Sequence, residues 1–195
     1  MRKILFIICW ALAGVGLYSC SLDEPSYGKT TSDNYYQKES DIEQALTGAY
    51  LQLRTTWNEY ALNHYFVGDC STDDALKGGG NDGDRAEVRD LSDFTIYTTN
   101  GEVGRRWEIL YRLINRCNDV IYYAPDAIGN EELLKRYANE AKALRAFGYY
   151  CLVTTFGEVP LITTPMQPAE ILQIPRSPLE KVYECIVNDL SLIHI

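Results

Sequence analysis

The stretch Glu140 to Pro160, EAKALRAFGYYCLVTTFGEVP, constrains the fold more than any other part of the chain. Apolar or small residues recur at Leu134, Ala138, Ala141, Leu144 or Arg145, Gly148, Cys151 or Leu152, and Thr155. That spacing is one buried stripe on a helix. Ala143, Ala146 and Gly148 are small, so a neighbouring helix can come close. Phe147, Tyr149, Tyr150 and Phe156 are expected to bury large ring area in its C-terminal half. Gly157 suits the position just past a helix end, and Pro160 forbids continuation. The stretch predicts the central helix of an all-α domain.

Other segments carry the same period. Ser40-Asp41-Ile42-Glu43 has the pattern of a capping box, with Ser40 as N-cap. Ile42, Ala45, Leu46, Ala49, Tyr50 and Leu53 then form a stripe. Gly48 inside this helix costs about 1 kcal/mol relative to Ala, which a close helix crossing would offset. A second strong helix is predicted from Glu102 to Ala124, with Trp107, Leu110, Tyr111, Ile114, Cys117 and Ile121 on one face and Pro125 beyond its end. Ser177-Pro178-Leu179-Glu180 opens a last helix with N-cap Ser, N1 Pro and N3 Glu. Its stripe is Val182, Tyr183, Ile186 and Leu190. Between the helices, residues 68–84 read as a loop around three consecutive glycines. Residues 94–100 read as a short non-helical connection, and residues 157–176 as a proline-containing crossing. The aromatic-rich segment 57–67 fits no single period, and His64 within it reads as a polar residue at a core edge.

Several blocks together resemble a known family. They are Ala45-Leu46-x-Gly48-Ala49-Tyr50, then Trp107-x-x-Leu110-Tyr111-x-x-Ile114-x-x-Cys117-Asn118. Glu140-Ala141-x-x-Leu144-Arg145-Ala146, Tyr149-Tyr150 and Phe156-Gly157-Glu158-Val159-Pro160-Leu161 follow. In this order they resemble the SusD/RagB family, outer-membrane nutrient-binding lipoproteins of Bacteroidota. Phe156 stands where that family more often has Tyr. The resemblance implies a tetratricopeptide-like helical superhelix. Cys117 and Cys151 occupy equivalent stripe positions 34 residues apart, which agrees with the period of that repeat.

The N-terminus reads as an export signal. Arg2 and Lys3 precede an apolar run from Ile4 to Leu17 that is short for a membrane span. Leu17-Tyr18-Ser19-Cys20 resembles a lipobox, with Cys20 as the lipid-attachment residue, although Tyr18 is bulky for its position. Ser21-Leu22-Asp23-Glu24-Pro25 resembles the surface-export signal of Bacteroidota lipoproteins. The expected organisation is a signal peptide over 1–19, a lipidated Cys and tether over 20–40, and a helical domain over 41–195. Tyr35-Tyr36 are expected to dock the tether onto the body. The chain stops within its last helix on an apolar tail, where the family runs more than twice as long. The expectation is therefore an N-terminal part of a longer protein, with Ser191–Ile195 not native.

Composition narrows the function. The chain carries 18 Lys+Arg against 27 Asp+Glu, a net charge of −9, and loss of the leader makes it more acidic still. Such a surface argues against nucleic acid and anionic lipid as partners. Cys70, Cys117, Cys151 and Cys185 remain beyond the leader and anchor; they form no C-x-x-C, and His64 and His194 lie far from them in sequence. A zinc site is not expected, and buried thiols are the expected state of Cys117 and Cys151. Asp73, Asp74, Asp82 and Asp84 are the residues suited to calcium, but they lack the spacing of a calcium loop. No cofactor is therefore expected. No nucleophile elbow, phosphate loop or paired acid and base is present, so no enzyme is expected.

The resemblance implies a surface lipoprotein that binds a nutrient, usually a glycan oligomer. It would deliver that nutrient to a TonB-dependent, SusC-like outer-membrane transporter and be held to the membrane by its lipid. The alternative is a tetratricopeptide-like envelope scaffold that binds no nutrient. The abundance of tyrosine, 15 residues, fits either core edges and helix contacts or stacking on sugar rings. Loop residues of a type suited to a sugar are Trp57, Tyr97 and Asn100, with packing as the alternative for each.

Overall fold

The structure is a computed structural model that describes residues 32–54 and 64–191. By its internal contacts the chain divides into two units, Met1–Ser32 and Asp33–Ile195. The described helices are α1 (Ser32–Tyr35), α2 (Glu39–Tyr50), α3 (His64–Val67), α4 (Ala86–Ser92), α5 (Gly101–Tyr123), α6 (Glu131–Phe156), α7 (Pro168–Ile171) and α8 (Leu179–Ser191). Among the described residues there is no strand, only two isolated bridges, Lys38 with Ile128 and Val159 with Ser177.

Helices α5 and α6 are the spine. Both begin on an asparagine. Asn100 Oδ1 accepts the backbone N–H groups of Glu102 and Val103 at 3.0 and 3.2 Å. Asn130 Oδ1 accepts those of Glu132 and Leu133 at 2.9 and 3.2 Å. Each side chain thus satisfies donors that a helix N-terminus leaves unpaired. Acidic residues follow in each first turn, where the helix dipole favours them. α6 ends at Gly157, whose φ of 71° suits glycine.

The two helices run antiparallel. Arg106 meets Thr155, Ile114 meets Gly148, and Asn118 meets Arg145. At Gly148 a Cβ would lie 3.0 Å from Ile114 Cγ1, so glycine sets the helix separation there. α8 and the Val159–Ile162 segment close one core, with Leu110, Ile114, Tyr149, Leu152 and Val182 at its centre. α2 closes a second core, in which Ile42, Leu46 and Ala49 pack on Leu113, Cys117, Val120 and Ala141. A small third cluster, Cys70, Val88 and Leu91, lies under the 68–84 loop. Buried aliphatic side chains of this kind stabilise by about 1.5–3 kcal/mol each.

Several expectations need correction. α2 begins two residues early: Lys38 is its N-cap residue, and Asp41 rather than Glu43 closes the box by accepting the Lys38 N–H at 2.9 Å. Tertiary contacts fix this entry, since Glu39 N donates to Ile128 O and Asn130 N donates to Glu39 Oε2. Residues 32–40 are accordingly not an extended tether. Tyr36 does dock, stacked on Tyr123 with ring centroids 4.3 Å apart. Gly48 makes room for a side chain rather than a helix: Arg116 Nη1 donates to Gly48 O at 2.8 Å, where a Cβ would crowd it at 3.1 Å. Phe147 and Tyr150 are exposed; of the four rings in the C-terminal half of α6, Tyr149 is fully buried and Phe156 packs at the edge of the core. The 157–176 crossing contains the single turn α7, with Pro168 in the first turn, where proline is tolerated. Ser177 gives its N–H to Val159 O, and α8 starts at Leu179, with Pro178 O accepting from Lys181 N.

Candidate functional site

The family-like residues of α6 build a structural lock. Arg145 is buried on the same stripe as Ala141 and Leu152. Its Nε and Nη2 donate to the two carboxylate oxygens of Asp189 at 2.8 Å each. Its Nη1 donates to Asn118 Oδ1 and Thr163 O, both at 2.9 Å. Asn118 Nδ2 donates to Ile162 O at 2.9 Å, and Tyr149 OH donates to the same carbonyl at 2.8 Å. One guanidinium therefore ties α5, α6, α8 and the 157–176 crossing together. Burial pushes the Arg145 guanidinium down, but hydrogen bonds to Asp189 and its charge outweigh that, and the net shift is upward. Every buried side-chain polar atom among the described residues has a partner. This network holds structure, and no group in it is left over for chemistry.

Among the described residues, Cys70, Cys117, Cys151 and Cys185 form no disulfide. Burial raises all four thiols, Cys117 up to about 12, so they stay protonated and unreactive.

The surface best suited to a ligand is the connection between α4 and α5. Phe94 is 71% exposed and Tyr97 is 67% exposed, with Ile96 half-exposed beside them. Phe94 has a φ of 56°, a left-handed backbone that a bulky residue rarely adopts. Strain of this kind persists only where its surroundings hold it. Here Phe94 N donates to Leu91 O, Thr95 N to Asp90 O and Asn100 N to Tyr97 O. At the far end, Asn100 Nδ2 donates to Glu87 O at 2.9 Å, and Gly101 N donates to Glu87 Oε1 at 3.1 Å. The connection is thus pinned at both ends, with two rings turned to water.

Of the three residues suited to a sugar by sequence, Tyr97 is exposed to solvent. Asn100 is not; its side chain is 6% exposed and spent on capping α5 and anchoring α4. Trp57 lies outside the described residues, as do Cys20 and the apolar tail 192–195. Phe94 is a ligand-suited residue that sequence reasoning missed. The signal was two rings three residues apart in a segment with no helical period. Of the aspartates near the glycine loop, Asp84 serves the loop itself, its Oδ2 accepting from Gly80 N at 3.3 Å.

Two larger grooves lie beside the long helices. One, of about 380 Å³, lies between α5 and the crossing, walled by Trp107, Tyr111, Pro160, Ile171 and Ile174, with the exposed Asn115 at its edge. The Tyr111 hydroxyl is committed to Pro160 O at 2.7 Å. The other, of about 550 Å³, lies at the turn between α5 and α6.

Comparison with known proteins defines the class. The profile of a SusD-like family, described as starch-binding and associating with the outer membrane, matches residues 21–193. The chain belongs to the SusD-like family. It is 30% identical to SusD-like protein P2 of Formosa agariphila over 97% of this chain and 36% of that protein. SusD-like protein P25 of the same organism is 25% identical, over 99% of this chain and 38% of the relative. A laminarin-binding SusD-like protein of known structure superposes with a TM-score of 0.70 at 31% identity, over 80% of this chain and 34% of that one. Surface glycan-binding protein A from Bacteroides uniformis superposes at 0.68 with 27% identity, over 80% and 34%. The all-α, tetratricopeptide-like fold expected from the sequence is therefore the fold observed. The chain spans little more than a third of the length of the curated relatives it matches.

Proposed function

We propose that this chain is part of a cell-surface lipoprotein that binds a neutral oligosaccharide and delivers it to a TonB-dependent outer-membrane transporter. The single observation that carries the reading is the pinned, strained connection presenting Phe94 and Tyr97 to solvent. Exposed rings held in place offer flat apolar faces to the C–H face of a sugar at little entropic cost. Family membership supports a glycan as the ligand, as do the laminarin-binding and glycan-binding neighbours. Charge favours a neutral sugar: Asp93 flanks the connection, with Asp90 paired to Arg89, on a chain of net charge −9. An anionic polysaccharide would meet repulsion there. Lipidation of Cys20 would hold the protein at the membrane through its acyl chains. The role is capture rather than catalysis, and no cofactor is part of it.

Affinity electrophoresis of the protein in gels containing laminarin, starch or an anionic polysaccharide tests this reading. Retardation by a neutral glucan and none by the anionic polymer is expected. Absence of retardation by any glycan, with co-purification of a transporter retained, would favour the scaffold reading instead.

A further inference from the structure

The groove at the α5–α6 turn has a chemistry unlike the rest of this acidic chain. Its floor is aliphatic, formed by Ile121, Ala124, Ala127, Leu134 and Ala138, and its volume is about 550 Å³. Along one wall α6 presents Lys135, Asn139 and Lys142, at i, i+4 and i+7 on one face. Neither lysine forms an ion pair among the described residues, whereas the neighbouring Arg136 is paired with Glu140. The one carboxylate in the lining, Glu131, sits a turn before Lys135, at the N-terminal end of that wall. Two unpaired cations over an apolar floor, on a chain of net charge −9, make a local site for negative charge.

We infer that this groove binds an acidic peptide segment of a partner protein, in extended conformation, with carboxylates three residues apart around aliphatic side chains. The spacing sets the register. Seven residues of α-helix advance about 10.5 Å. In a polyproline-II segment, side chains three residues apart share a face and lie about 9.3 Å apart. Such a segment leaves its own backbone groups unpaired, and the Asn139 amide, midway between the lysines, can both donate to and accept from them. The floor decides between peptide and anionic polysaccharide. It holds no aromatic ring for a sugar face, while its aliphatic lining suits Val or Leu side chains. The site is separate from the Phe94–Tyr97 connection and does not depend on the glycan reading.

Fluorescence anisotropy with a labelled peptide, acetyl-Pro-Glu-Val-Pro-Glu-Val-Pro-amide, tests it, against the same peptide with Lys in place of Glu. The acidic peptide is expected to bind, more weakly as salt rises, and the basic one not to bind. The double variant Lys135→Glu/Lys142→Glu should lose at least about tenfold in affinity, because two charge-assisted contacts become repulsive. Asn139→Ala should lose several-fold with the salt dependence unchanged. All three substitutions are at the surface, so circular dichroism should show an intact fold. No binding of the acidic peptide, binding that survives charge reversal, or binding at these lysines of an anionic polysaccharide in its place would each overturn the proposal.

Discussion

Arg145 shows how one residue can belong to a buried stripe and still do something different from its neighbours. Its position on the buried face is set by helical period, but its charge is retained because Asp189, Asn118 Oδ1 and the Thr163 carbonyl accept from the guanidinium. Removing one partner of such a pair leaves an uncompensated buried charge. Arg145→Ala should therefore destabilise by about 3–5 kcal/mol in urea unfolding. Replacing both, as Arg145→Met with Asp189→Leu, should recover most of that loss. Such a loss is a large part of the about 5–15 kcal/mol that holds a typical domain together. Asp119 gives a pH effect of the opposite kind from a salt-bridged carboxylate. Burial raises it above the ordinary aspartate value of 3.8, tempered by the Tyr36 hydroxyl and Arg116. The folded state thus binds the proton more tightly than the unfolded state does. Its contribution favours folding below that ordinary value and is lost as pH rises through the folded value. Asp119→Asn removes this term and keeps an oxygen for the Tyr36 hydroxyl. Thermal melts from about pH 4 upward should show the native protein losing stability relative to the variant.

At the scale of the element, the long helices were legible from their stripes and their ends, while their asparagine caps went unread. α5 and α6 each combine an apolar stripe, an asparagine before an acidic first turn, and a proline or glycine past the end. Local signals that agree leave tertiary contacts little to change. The start of α2 was misplaced because Ser40 and Glu43 carry the capping pattern, whereas Lys38 offers no side-chain acceptor and only Asp41 reaches back, to the Lys38 N–H. The choice is made by Ile128 and Asn130, which are distant in sequence. Phe147 and Tyr150 were misassigned by residue type alone. On a helix they fall away from the Ala141–Gly148–Leu152 stripe, and they are exposed. Two substitutions test the element account. Asn100→Ala removes the α5 cap and should cost about 0.5–2 kcal/mol in chemical unfolding. Gly148→Ala gains about 1 kcal/mol of helix propensity, but its Cβ meets Ile114 Cγ1 at 3.0 Å. Overpacking of that kind costs about 1–3 kcal/mol, so a net loss of stability should appear in the same assay.

At the scale of the whole molecule, the family and its helical fold were legible because their blocks are spread from Ala45 to Leu161 along the helices that form the cores. The proposed ligand surface was only half legible. Tyr97 was found by residue type and Asn100 by the same reasoning, yet the fold uses Asn100 to hold the connection that Tyr97 decorates. Phe94 is significant through its left-handed backbone and its exposure, and neither can be read from a residue letter. The Lys135–Asn139–Lys142 wall went unread in the sequence, because its meaning depends on the turn that faces it. Isothermal titration of a neutral glucan oligomer into the protein and into the variants Phe94→Ala and Tyr97→Ala tests the central claim most directly. Binding to the native protein, weakened at least about tenfold (about 1.4 kcal/mol) by either substitution with unfolding stability little changed for Tyr97→Ala, is the predicted result. Glucan binding of undiminished affinity in both variants would contradict the account.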